Sequence, residues 1–98
     1  METLKSERMD QVMKAILTLE TVEEAYTFLE DLCSINELKA MEQRYTVAAM
    51  LRNKIPYNVI VKETGASTTT ISRVNRSLRY GKNGYEIVMG RLEAEENQ

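Results

Sequence analysis

Apolar residues along this chain recur every three or four positions and not every second one. That is the period of helices with one buried face, and it excludes half-buried strands. Breakers are few: Pro56 is the only proline, and glycine occurs only at 65, 81, 84 and 90. The spacing predicts an all-α chain of about six helices. At 98 residues and 43% hydrophobic, it suits one small folded domain spanning 1–98. A domain of this size buries a limited core, and pairing with a second copy is a common remedy.

The first helix is expected over 6–20, with Met9, Val12, Met13, Ile16, Leu17 and Leu19 on its apolar side. "TVEE" opens the second, which runs to about Cys33. There the Thr21 hydroxyl can accept from the Glu24 amide while Glu24 reaches back, a capping box. "SINE" repeats the device with Ser34 and Glu37, and a third helix follows over 35–53. Pro56 stops it. A short helix over 57–64 ends at Gly65, and "GAS" forms a turn in which Ser67 or Thr68 can cap a helix over 68–80. "YGKNG" breaks that helix, and a last one occupies 84–96. The organisation expected is therefore dimerisation helices in 1–53, a reader in 57–80 and a C-terminal helix.

The net charge is −2, but its distribution is uneven. Between 52 and 82 stand seven basic residues against Glu63 alone, a local +6, while the rest of the chain carries −8. A basic segment in an acidic protein is either a footprint for phosphates or a solvated face. Enzyme chemistry finds few candidates. There is no histidine, no Gly-rich phosphate loop, and one cysteine, Cys33, whose apolar surroundings suit an inert core thiol. Neighbouring acids such as Glu23 and Glu24 point to different sides of a helix and serve as caps. The reading is no enzyme, no metal and no required cofactor. No apolar run approaches a membrane span and the N-terminus lacks an apolar signal core, so a cytoplasmic protein is expected.

Two short helices joined by a glycine-containing turn fit a helix-turn-helix, and also an exposed helical hairpin. On the second helix Ile71, Val74 and Leu78 share a face that can pack on Ile60 and Val61. The opposite face carries Thr69, Ser72, Arg73, Arg76 and Tyr80, groups that can donate to phosphates and base edges. The candidate DNA-facing residues are Lys62, Thr68, Thr69, Ser72, Arg73, Arg76 and Arg79. Thr68, Thr69 and Ser72 would approach bases, and Lys62, Arg76 and Arg79 phosphates, while Arg73 could serve DNA or a ligand.

"SINELKAMEQRYTVAAML", "VKETGASTTTISRVNRSL" and "RYGKNGYE" together resemble the tryptophan-repressor-like family, in particular its small YerC/YecD-type members, over roughly residues 10–95. The resemblance implies a homodimer intertwined through its N-terminal helices, with one helix-turn-helix per chain on a common face. Two such readers imply palindromic half-sites in double-stranded DNA, ~34 Å apart. It implies a transcriptional regulator, repression being the family habit rather than a reading of these residues. It also implies an effector pocket. Arg44 and Arg73 fall where two arginines sandwich an indole, and Thr70 and Ser77 on matching hydroxyl positions. Val74 stands where the tryptophan repressor has glycine, so L-tryptophan or another small effector meets a branched side chain there. The alternatives for the two arginines are a surface pair of Arg44 with Glu42 or another acidic neighbour, and a phosphate contact at Arg73. The rival function is a protein-interaction module that uses the Met- and Leu-rich N-terminal helices.

Overall fold

The computed structural model describes residues 3–97. Six helices follow in order: α1 (Glu7–Ile16), α2 (Val22–Leu32), α3 (Ile35–Arg52), α4 (Tyr57–Thr64), α5 (Thr68–Tyr80) and α6 (Gly84–Glu96). Among the described residues there is no strand. The all-α expectation holds.

Local hydrogen bonds explain most boundaries. The Ser6 hydroxyl accepts from the Met9 amide at 3.0 Å and opens α1. At α2, the Thr21 hydroxyl accepts from the Glu24 amide at 3.0 Å. The Glu24 carboxylate reaches one residue further than a capping box requires, accepting from the Glu20 amide at 2.8 Å rather than from Thr21. At α3 the box is complete. The Ser34 hydroxyl accepts from the Glu37 amide at 3.1 Å, and the Glu37 carboxylate accepts from the Ser34 amide at 2.8 Å. The Ser34 backbone amide, helped by its hydroxyl, holds the Glu37 carboxyl below the ordinary glutamate range.

The first helix is shorter than its apolar pattern predicts and stops at Ile16, not at 20. The amides of Thr18 and Leu19 turn to the carbonyls of Ala15 and Ile16, three residues back, and the Thr18 hydroxyl also donates to Ala15. A hydroxyl that competes for a helix carbonyl, with bonds tightened to three residues, ends the helix. Leu17 is left 82% exposed.

Two compact units divide the chain, residues 1–38 and 39–98, and α3 runs across the division. In the first unit no described residue is buried. Val22, Tyr26, Leu32 and Ile35 are all exposed. Cys33 sits at the C-cap of α2 and is half-buried, not the core thiol its neighbours suggest.

The second unit holds the core: Val47, Ala48, Ile60, Ala66, Ile71, Val74 and Met89. Full burial of side chains such as Ile60, Ile71 and Val47 stabilises a fold by about 1.5–3 kcal/mol each. Val61, expected beside Ile60 under α5, is instead 37% exposed. Successive helical residues point about 100° apart, and the eight-residue α4 turns only Ile60 fully inward.

Two devices fix the ends of this unit. Lys54, at φ 61, closes α3 with paired bonds, Lys54 N–H to Leu51 and Ile55 N–H to Met50. Arg52 clasps α6. Its Nε and Nη2 donate to the two oxygens of Glu86 at 2.9 and 2.7 Å, and Nη1 donates to Glu93. Glu86 first, then Glu93, hold the Arg52 charge more firmly than in water, and Arg52 lowers the Glu86 carboxyl below its ordinary range.

Candidate nucleic-acid interface

The turn between α4 and α5 is built from local chemistry. Gly65 adopts φ 71, the left-handed region that a side chain disfavours, and its amide donates to Val61 at 2.9 Å. Ser67, not Thr68, caps α5, its hydroxyl accepting from the Thr70 amide at 3.1 Å. Thr68 is therefore the first helical residue, exposed beside Thr69.

Two local contacts and one distant in sequence complete the turn. The Thr64 hydroxyl donates to the Ile60 carbonyl at 2.7 Å and accepts from the Ala66 amide at 3.1 Å. On α3, the Gln43 amide nitrogen donates to the Thr64 carbonyl at 3.2 Å. Ala66 itself is buried in the core. Reading the sequence singled out neither Gln43 nor Thr64; their contact spans 21 residues and has no local signature.

Core burial of Ile71 and Val74 turns the other face of α5 outward. Thr68, Thr69, Ser72, Arg73 and Arg76 line a shallow depression of about 350 Å³ on it. Arg79 is exposed, its Nε donating to Asn75 at 3.1 Å, and Lys62 is exposed on α4. Among the described residues, no carboxylate lies within ion-pair distance of Lys62, Arg73, Arg76 or Arg79. Arg52 differs: its charge is spent on Glu86 and Glu93, so the basic segment read from sequence loses one of its seven cations.

Two of the five residues named for an effector pocket, Arg73 and Ser77, share a depression of about 530 Å³ with Arg76, Tyr80 and Gly81. Ser77 also lines a groove of about 440 Å³ together with Tyr45, Tyr85 and Val88. Arg44 is exposed on α3 and forms no ion pair with Glu42. Thr70 is half-buried, its hydroxyl accepting from Ser67 at 3.1 Å. Val74 is 3% exposed and belongs to the core. Among the described residues no group of His, Cys, Asp or Glu could hold a metal ion, and no helix is long and apolar enough to cross a membrane.

An all-α chain with a capped, cationic helix beyond a left-handed glycine turn is a helix-turn-helix protein. Residues 7–93 match the family described as Trp repressor protein, and the chain belongs to that family. It is a family of DNA-binding regulators, not of enzymes. The chain is 45% identical over 97 residues to YerC, an uncharacterised protein of Bacillus subtilis (strain 168), covering 99% of this chain and 93% of that one. A crystal structure of a TrpR-like protein from Eubacterium eligens ATCC 27750 superimposes with a TM-score of 0.89 at 52% identity, covering 92% of this chain and 93% of that one. A second, of a protein from Staphylococcus aureus, gives 0.88 at 44% identity over 92% and 90%.

Proposed function

We propose that this protein is a sequence-specific transcriptional regulator that binds double-stranded DNA as a homodimer and represses from a palindromic operator. The observation that carries the reading is the outward face of α5, where Arg73 and Arg76 are free of carboxylates among the described residues and the first turn is small and hydroxylated. Small residues permit close approach to a groove, and unpaired guanidinium groups are available to phosphates or guanine edges. In this reading Thr68, Thr69 and Ser72 approach bases. Lys62, Arg76 and Arg79 meet phosphates, and Arg73 takes a base edge.

The homodimer is supported by the first unit, where apolar α1 and α2 bury no residue of their own. A second copy supplies the missing cover. In this reading every DNA contact comes from the protein's own side chains, and the protein works in the cytoplasm without a metal or cofactor. Tryptophan is not required: Val74 fills core space where the resemblance places the ligand.

Selection from random duplex DNA at two salt concentrations, with and without L-tryptophan, tests this. An enriched palindrome independent of tryptophan is expected. Arg76→Ala should reduce the salt slope by about 0.9 for each phosphate it no longer neutralises. Arg73→Ala should weaken operator binding by about 1–3 kcal/mol for each base edge it no longer reads. No enriched sequence, or normal DNA binding by both variants, overturns the proposal. A salt-resistant complex with another protein would instead favour an interaction module.

A further inference from the structure

The turn that aims α5 hangs from α3 by one directional contact. Among the described residues, Gln43 to Thr64 is the only side-chain hydrogen bond between α3 and the α4–α5 pair. The rest of that interface is apolar packing around Val47, Ala48, Ile60 and Ile71, which fixes distance better than orientation. Thr64 bears three bonds at once. Its carbonyl takes Gln43, and its hydroxyl joins the last turn of α4 to the amide of Ala66.

We infer that Gln43 and Thr64 are positioning residues for DNA recognition: they form a latch that sets the angle of α5 to α3. The inference rests on the proposed DNA reading of α5. The Gln43 amide caps a carbonyl that the end of α4 leaves unpaired within the helix, and does so from the helix that runs on into the N-terminal unit. The Thr64 hydroxyl then relays that position to Ala66, whose buried methyl group seats the start of α5. Neither side chain lines the depression formed by Thr68, Thr69, Ser72, Arg73 and Arg76, and neither is among the residues proposed to touch DNA.

The test uses the full chain with Gln43→Met, Thr64→Val and Thr64→Ser. Methionine keeps the length of glutamine without its donor, valine keeps the shape of threonine without its hydroxyl, and serine restores the hydroxyl. Operator and non-specific duplex affinities are measured across salt, and amide exchange of Gly65 and Ala66 is followed in the free protein. Gln43→Met and Thr64→Val should bind operator about tenfold more weakly. Non-specific affinity and salt slope should be unchanged, and Thr64→Ser should bind like the parent chain. The turn amides should exchange about tenfold faster in the first two variants. Parent-like exchange and operator affinity in both overturn the latch, as does an equal loss of specific and non-specific binding. A parent chain that binds no DNA sinks the DNA reading instead, and the exchange result then judges the latch alone.

Discussion

Replacing Val74 by glycine separates core from pocket. Val74 is 3% exposed, mid-helix in α5, and clustered with Ile60, Ile71 and Met89. Burial of such a side chain contributes about 1.5–3 kcal/mol. Glycine in a helix interior costs about 1 kcal/mol more than alanine. Val74→Gly should therefore destabilise by about 2.5–4 kcal/mol. That is a large share of the roughly 5–15 kcal/mol typical of a folded protein. At roughly 4–8 °C per kcal/mol, melting should fall by about 10–30 °C. Denaturant unfolding followed by circular dichroism, at one protein concentration, measures the loss. L-tryptophan is then added. The chain has no tryptophan, so indole fluorescence reports only the ligand. If the isopropyl group blocks the site, the variant takes up indole and the parent chain does not. Ligand at about 100 times its Kd would restore about 2.7 kcal/mol. A loss below about 1 kcal/mol refutes the core role. Equal uptake by parent and variant refutes the block.

Other positions give further outcomes. Gly65→Ala has open space for its methyl group, so the cost is purely the left-handed backbone, about 1–2 kcal/mol before a smaller unfolded-state gain; denaturant unfolding checks it, and Gly65→Asn should lose less. Ser67→Ala removes the α5 cap and should cost about 1 kcal/mol by the same assay. Glu37 and Glu86 both have native values lowered from 4.5, by the Ser34 amide and by Arg52. Their contribution is therefore full above the unfolded value and lost as pH falls through the lowered native ones. Unfolding followed from about pH 6 down to about pH 2 should show that loss, and the double variant Glu37→Gln, Glu86→Gln should flatten it. Sedimentation of the full chain should give a dimer; a stable monomer at micromolar concentration would contradict the proposed cover for α1 and α2.

Much of this fold is legible residue by residue. Thr21, Ser34 and Ser67 each start a helix by accepting an amide three residues on, as their spacing predicts, while Ser6, which the spacing placed inside the first helix, does the same from just outside α1. Gly65 ends α4 in a left-handed backbone region that glycine occupies without penalty. Those bonds span three or four positions, so the sequence holds both partners in view. The end of α1 escaped because apolar spacing continues through Leu17 and Leu19 while the backbone tightens at Thr18. At the candidate interface, helical period alone placed Thr69, Ser72, Arg73 and Arg76 on one exposed side of α5.

The sequence by itself determined an all-α chain, its caps, its turn glycine and the outward cations of α5. Tertiary structure decided what those cations are free to do. Arg52 meets carboxylates 34 and 41 residues away and is withdrawn from the basic segment. Val61 stays outside while Ile60 goes in, Val74 enters the core, and Gln43 reaches Thr64. Local bonds depend on identity and spacing, which the sequence states. These longer-range pairings depend on how helices approach in space, which spacing along the chain does not encode.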